Sequence, residues 1–465
     1  MKRPTIGCMF IDVSPVTSIH QPLPIVISEV DPGARVEISF EAVDAHGESF
    51  TAVEGFTAST EGVVSTDVTL PESAHWTPAD SLGPLWTMSP GKGHNRPFAF
   101  SASSPMLIQL KVRTPGEGQA TKVQRVVARG IVEVPVSTRY TDPKADDYAR
   151  IKGSADIFSS SHPVDEIVDT GSFAARAYAD DADGLLPAVV VFDDFTGGCP
   201  SAAAAALADL GFLAVAVDVL SASGGRTPVD GHALEVLLEA VASHGKVDDS
   251  VHLGLVGRGR GAELALMLAA ARPDLVGPVV AHSPSDVVTA SPRDGGEVTF
   301  TGIDGASDHL DPKKAGKKLS WSTFTKAALT GKPWYLKPWY EAVREAHPDE
   351  AVVKASIPVD RCRGPLLVTA PTDDRVWDSV GMARHLQQRA SKADVETYVC
   401  EYPGAGHGVG FPFTFAGAPV TPVVVGYGHT VELGGDRIAT GRAARESTEQ
   451  VVSFLSSAFG IGDYA

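Results

Sequence analysis

The sequence predicts a two-part chain: an all-β half followed by a doubly wound α/β half with a mostly parallel sheet. Two patterns of apolar residues, and a change of composition between them, predict it. Up to about residue 140, short runs alternate apolar and polar residues between turns. ARVEISFEAV (34–43) sets Val36, Ile38 and Phe40 on one face, and PMLIQLKVRT (105–114) does the same with Ile108, Leu110 and Val112. Such runs without helices between them predict an antiparallel β-sandwich. From about 166 the runs become continuously apolar, as in PAVVVFDD (187–194) and FLAVAVDV (212–219), which suits parallel strands covered on both faces. Between them STRYTDPKADDYARIKGSADIFSSSHPV (137–164) is polar and turn-rich. The expected division is therefore 1–140, a linker over 141–165, and 166–465. A chain of 465 residues that is 43% hydrophobic also exceeds what one core usually organises.

The second half alternates strand and helix in order. SAAAAALADLG is a helix with Gly211 as its stop, followed by helix HALEVLLEAVASHG, strand VHLGLVG, helix GAELALMLAAARP and strand VGPVVAHS. An insertion over about 285–356 comes next, then strand GPLLVTA, helix DSVGMARHLQQRA and strand VETYVCEYP. A last helix over about 443–459 has Val451, Val452, Phe454 and Leu455 as its apolar stripe. In such sheets ligands bind at the carboxyl ends of the strands, which points to the turns after 192, 257, 282, 370 and 402.

A formal net charge of −18 opposes a nucleic-acid or anionic-membrane surface. The opening MKRPTIGCMFIDVSP is interrupted by Asp12 and Pro15, so it reads neither as a signal peptide nor as a membrane span, and a cytoplasmic protein is expected. Cys8, Cys199, Cys362 and Cys400 are far apart, with no CxxC spacing, and are expected to be reduced thiols without a metal. No internal repeat and no phosphate-binding P-loop are present, so no nucleotide or redox cofactor is expected. Oligomeric state is not legible.

VHLGLVGRGRGAELALMLAA (251–270) reads as a buried strand, a sharp glycine turn and a helix, the arrangement in which an esterase presents its nucleophile. The position for that nucleophile is Gly259. Other stretches add to this turn: SLGPLWTMSP (81–90), FTGGC after the strand at 192, IPVDRCRGPLLVTAPTDDRVW (357–377) and YPGAGHGVGFPF (402–413). With GRGRGAELAL they run in order over nearly the whole chain, which resembles the acyl-CoA thioesterase and bile acid-CoA:amino acid N-acyltransferase family. The resemblance implies an immunoglobulin-like N-terminal sandwich joined to an α/β-hydrolase domain. It places the catalytic acid on Asp374 and the base on His407, with Asp373 as a second candidate acid. The family's Ser or Cys falls on Gly259, and there the pattern breaks. The residue types suit acyl transfer, because an imidazole must take the nucleophile's proton and a carboxylate must fix the imidazole's tautomer. A turn Asp that caps a helix and a surface His are the plain structural alternatives.

Oxyanion donors are expected from the backbone N–H of Arg260 and from the loop at Phe195 or Thr196. Glycine suits a strained elbow, so only the hydroxyl or thiol is missing, and the space left is about that of one water, roughly 30 Å³. His407 would then activate water or an acceptor directly. Cys199 and Ser283 are other strand-end groups that could act covalently, and an engineered exchange at Gly259 is a further explanation. In the insertion, Lys313, Lys314, Lys317 and Lys318 mix with Trp321, Phe324, Trp334, Tyr335, Trp339 and Tyr340. This fits either a lid that greets a phosphorylated acyl ligand or a solvated loop over an aromatic cluster. His429, in GYGHT, has turn chemistry and is given no role. The expected function is hydrolysis or transfer of an acyl thioester, CoA- or carrier-bound, or of a related ester. The alternatives are a catalytically silent binder of an acyl ligand or protein, and a lyase or cyclase using the same dyad for proton transfer.

Overall fold

The structure is a computed structural model. It describes residues 9–91, 106–128, 174–194, 200–219, 229–290, 300–316, 324–410, 423–425 and 429–461, apart from brief gaps within these spans. The expected linker over 141–165 lies outside the described residues. The chain divides into two compact units, parted at Gly130.

The first unit is built of β1 (Phe10–Val13), β2 (Val16–Thr17), β3 (Ile25–Ser28), β4 (Arg35–Val43), β5 (Ser49–Thr57), β6 (Val64–Ser65), α1 (Gly83–Trp86), β7 (Ser89–Pro90), β8 (Met106–Arg113) and β9 (Thr121–Ala128). They form a three-stranded sheet, β1-β3-β6, and a six-stranded sheet, β2-β9-β8-β4-β5-β7. All pairings are antiparallel except β2 with β9. The period-two pattern explains the buried face. Ile38 stands opposite Val112 and Phe40 opposite Leu110, and all four are buried. In the SLGPLW stretch Trp86 is buried on α1 and donates its indole N–H to Asp80 Oδ2 at 2.6 Å.

The second unit is an α/β-hydrolase fold. Its strands are β10 (Ala174–Tyr178), β11 (Ala188–Phe192), β12 (Leu213–Asp218), β13 (Val229–Asp230), β14 (Leu253–Arg258), β15 (Val276–His282), β16 (Phe300–Thr301), β17 (Leu366–Pro371), β18 (Thr397–Tyr402), β19 (Val423–Val425) and β20 (His429–Val431). Its helices are α2 (Ser201–Asp209), α3 (Gly231–Ala242), α4 (Arg260–Ala271), α5 (Lys326–Thr330), α6 (Lys337–Glu345), α7 (Asp349–Ala355), α8 (Ser379–Ser391) and α9 (Arg437–Phe459). The main sheet has seven strands in the order β10-β12-β11-β14-β15-β17-β18, parallel except for β10. β11, β14, β15 and β17 are almost wholly buried, as runs of β-branched residues covered on both faces require.

The last helix starts at Arg437, six residues before the expected 443. Asp436 caps it by accepting the N–H groups of Ile438 and Ala439, and the glycines Gly434 and Gly435 that precede it hide the start from a periodicity reading. β19 and β20 form an antiparallel hairpin before it, with His429 opening β20.

Candidate active site

Chain order reverses between β11 and β14: β12 lies on one side of β11, and β14 follows on the other. That is the switch point of the sheet, where the diverging loops leave a crevice at the carboxyl ends. Asp193 and Asp194 follow β11, and Gly259 follows β14. Gly259 caps α4 with φ 53° and ψ −118°, a conformation open to glycine at little cost. Its N–H donates to His282 O at 2.8 Å, which ties the elbow to β15. The elbow also lies hard against β11, since a Cβ on Gly261 would stand 2.6 Å from Asp193 O.

The structure brings Asp374 and His407 together at this elbow. His407 Nδ1 donates to Asp374 Oδ2 at 2.7 Å, and both side chains are 1% exposed. Asp374 also accepts the N–H groups of Val376 (2.7 Å) and Trp377 (3.2 Å) on Oδ1, and the Ser379 hydroxyl on Oδ2. A carboxylate so fully hydrogen-bonded has one orientation, and it fixes the imidazole in turn. Trp377 stacks edge-to-face on His407 at 4.9 Å and donates its indole N–H to Ser283 O at 3.0 Å. The two loops are joined through the segment ahead of α9: His407 N–H and Arg375 N–H both donate to Leu433 O. Asp373 accepts Gly435 N–H at 3.0 Å, so this second candidate acid serves as a loop tie and caps no helix.

The seat at Gly259 is not vacant, contrary to the sequence expectation of a water-sized gap. The Asp194 carboxylate fills it. A Cβ on Gly259 would stand 2.6 Å from both Asp194 oxygens. Asp194 Oδ1 accepts Arg260 N–H at 3.1 Å, the donor expected for an oxyanion, and Oδ2 faces His407 Nε2 at 3.0 Å. Asp194, His407 and Asp374 therefore form one buried line, carboxylate–imidazole–carboxylate. Burial opposes charge on His407, but the Asp374 charge, the hydrogen bonds to Asp194 and Asp374 and the Asp194 charge together push the ring up to about 10. The Asp194 carboxyl is held below its ordinary range: burial opposes this, and the His407 hydrogen bond and charge, the Arg258 charge and the Arg260 N–H outweigh it. A carboxylate on each side of the ring thus favours an imidazolium that donates from both nitrogens. A ring in that state can donate a proton, and can accept one only after losing it.

Beside this line two arginines face carboxylates. Arg258 pairs with Asp193 at 2.7 Å. The Arg260 side chain turns away from the crevice, donating to Thr289 O at 2.8 Å and lying over the Phe300 ring. Glu263, fully buried 3.1 Å from the Arg260 guanidinium, is pushed up to about 8, chiefly by burial.

The other residues singled out in the sequence fall as follows. Phe195, Thr196 and Cys199 lie outside the described residues, as do Cys8, Lys317, Lys318 and Trp321. Ser283 is buried at φ 48°, and its hydroxyl donates to the backbone oxygen of His407 at 3.5 Å rather than to the imidazole. Cys362 and Cys400 are free thiols. Lys313 and Lys314 are exposed, and Tyr335 is largely so. Trp334 stacks on Phe324 at 4.9 Å, and Phe324 meets Trp339, which meets Tyr340, which meets Trp377. The aromatic half of the insertion is thus a packed cluster that reaches Trp377 of the acid loop, the ring that lies on His407. Asp194 is the residue of this line that sequence reasoning missed; its signal is the acidic pair in FDDFTGGC, at a strand end facing a glycine elbow. Among the described residues no group of three or more His, Cys, Asp or Glu is arranged to hold a metal ion, and no helix is long and apolar enough to cross a membrane.

Among solved structures, an esterase from Pyrobaculum calidifontis is 17% identical, with 62% of this chain and 82% of that chain covered and a TM-score of 0.37. A structure described under carboxylesterases of Nitrososphaera gargenis is 13% identical, covering 63% and 97% with a TM-score of 0.35. Comparison with curated proteins gives no match. Two family models match the sequence. The acyl-CoA thioester hydrolase/BAAT N-terminal region matches residues 20–139, and the BAAT/acyl-CoA thioester hydrolase C-terminal region matches residues 235–460. The two matches fall in the order the motifs required, and the chain belongs to the acyl-CoA thioester hydrolase/BAAT family.

Proposed function

We propose that the protein hydrolyses or transfers the acyl group of a thioester, CoA- or carrier-bound, or of a related ester, and does so without a Ser or Cys nucleophile. One observation carries the reading: a buried Asp374–His407 pair stands at the elbow beside the Arg260 N–H, with the proton needed by a leaving thiolate already on the ring. Family membership supports the thioester class. Thioester cleavage needs a donor for the departing sulfur and an acceptor for a water proton, and one imidazole supplies both in turn. The exposed Lys313 and Lys314, with Lys317 and Lys318, are the groups proposed to meet the phosphates of a CoA or carrier arm. The test is thiol release from a series of acyl-CoA thioesters. The parent protein should release thiol, and His407→Ala should reduce release by roughly 10³-fold or more. Thiol release that survives His407→Ala would overturn the reading.

A second reading is favoured by Asp194 Oδ1 sitting on Arg260 N–H, which closes the oxyanion site in the resting state. In that reading the protein binds an acyl ligand without turnover. Acyl-CoA recovered intact after stoichiometric binding would establish it.

A further inference from the structure

We propose that Asp194 is the nucleophile of this site, reaching the elbow from β11 rather than from β14, and that it forms a covalent acyl anhydride with the substrate. The proposal rests on the thioester reading above and names the group that attacks. Three observations point to it. The Asp194 carboxylate occupies the place where a side chain on residue 259 would begin. Its Oδ2 stands 3.0 Å from His407 Nε2, the relation a triad nucleophile has to its base. Its Oδ1 is held at 3.1 Å by Arg260 N–H, so the carbonyl this donor serves is that of Asp194 itself. Gly259 is thus the counterpart of Asp194: removing the Cβ from the elbow makes room for a carboxylate from the neighbouring strand.

The chemistry balances. Asp194 Oδ2 attacks the thioester carbonyl carbon, the C–S bond breaks, and the His407 imidazolium gives its proton to the departing thiolate. The product is an anhydride between the acyl group and Asp194, beside a neutral imidazole. That imidazole now takes a proton from water as the hydroxide adds to Asp194 Cγ, with Oδ1 held by Arg260 N–H. The bond between Cγ and Oδ2 breaks, the acyl group leaves as a carboxylate bearing the original Oδ2, and the new Asp194 carboxyl loses one proton to solvent. The resting pair of Asp194 carboxylate and His407 imidazolium is restored, and the net change is thioester plus water to acid plus thiol. The oxygen taken from water stays on Asp194 through the first turnover.

The experiment is a single turnover with protein in excess over octanoyl-CoA in ¹⁸O-enriched water, followed by peptide mass analysis. The expected result is released thiol with one heavy oxygen in the peptide holding Asp194 and none in the released octanoate. Released thiol with the heavy oxygen only in the octanoate, and no octanoyl mass on the Asp194 peptide after acid quench during the turnover, overturns the nucleophile while leaving the thioesterase reading intact. Absence of thiol overturns the thioesterase reading and the nucleophile with it. Asp194→Asn, which keeps shape and removes the charge, should lose roughly 10³-fold in thiol release while still unfolding in one cooperative transition. If Asp194→Ala is as active as the parent or more so, Asp194 is a plug and the proposal fails.

Discussion

Replacing Asp194 by Asn tests the electrostatics of the buried line. His407 is raised from 6.5 to about 10, which corresponds to about 5 kcal/mol favouring the protonated ring in the folded state. Asn keeps an acceptor facing Nε2 and removes one of the two carboxylate charges. An opposite charge at this range is worth about one to three pH units, so in Asp194→Asn the ring should titrate between about 7 and 9. The sign follows from linkage. A folded value above the unfolded one gives stability that is whole below about 6.5 and is lost as pH rises through about 10 in the parent protein; in the variant this loss ends at the lower value. Above its own titration the variant's profile should therefore be flat, while the parent goes on losing stability up to about pH 10. NMR titration of the His407 ring, with urea unfolding at about pH 6 and 9, reads both effects. If His407 titrates at the same pH in the two proteins, Asp194 does not stand on Nε2 and the reasoning fails.

Other outcomes follow from the same packing. Gly259→Ser alone would place Cβ against the Asp194 oxygens, at 2.6 Å, in a left-handed conformation, and should cost about 2–4 kcal/mol in chemical denaturation. Combined with Asp194→Ala the clash disappears, so the double variant should be more stable than the sum of its parts by about 1–3 kcal/mol; additive losses would contradict the shared seat. Glu263 is pushed up to about 8 by burial, so its contribution is whole below its ordinary 4.5 and is lost as pH rises through about 8. Glu263→Gln should accordingly gain stability relative to the parent, by a few kcal/mol, between about pH 5 and 9; parallel pH profiles would refute this. Asp374→Ala removes the acceptor of two backbone N–H groups, a hydroxyl and the imidazolium, and should cost about 3–5 kcal/mol and lower the His407 titration. A change under about 1 kcal/mol would show that the acid is dispensable to the fold.

Much of the fold is legible because side-chain period follows burial. Val36, Ile38 and Phe40 alternate because β4 buries one face, while β11 and β14 are apolar throughout because both faces are covered. Asp374 and His407 are legible because each follows a strand end in an ordered set of motifs. Asp194 is not, because a sequence shows neighbours along the chain, whereas the switch point of the sheet sets β11 beside β14 across 66 residues. A missing side chain at Gly259 reads as a gap until the facing strand is known. The start of α9 is hidden for a local reason: its cap, Asp436, follows two glycines at positive φ, directly after Leu433, whose carbonyl holds the acid and base loops together. In the insertion, composition mixes lysines with aromatics, and only packing separates the exposed Lys313 and Lys314 from the rings that run inward to Trp377.

A crystal structure of the protein at neutral pH would examine the occupied elbow most directly. The account predicts the Asp194 carboxylate above Gly259, with Oδ2 near 3.0 Å from His407 Nε2 and Oδ1 near 3.1 Å from Arg260 N. Density showing Asp194 turned toward solvent, with an ordered water between Arg260 N–H and His407, would contradict it.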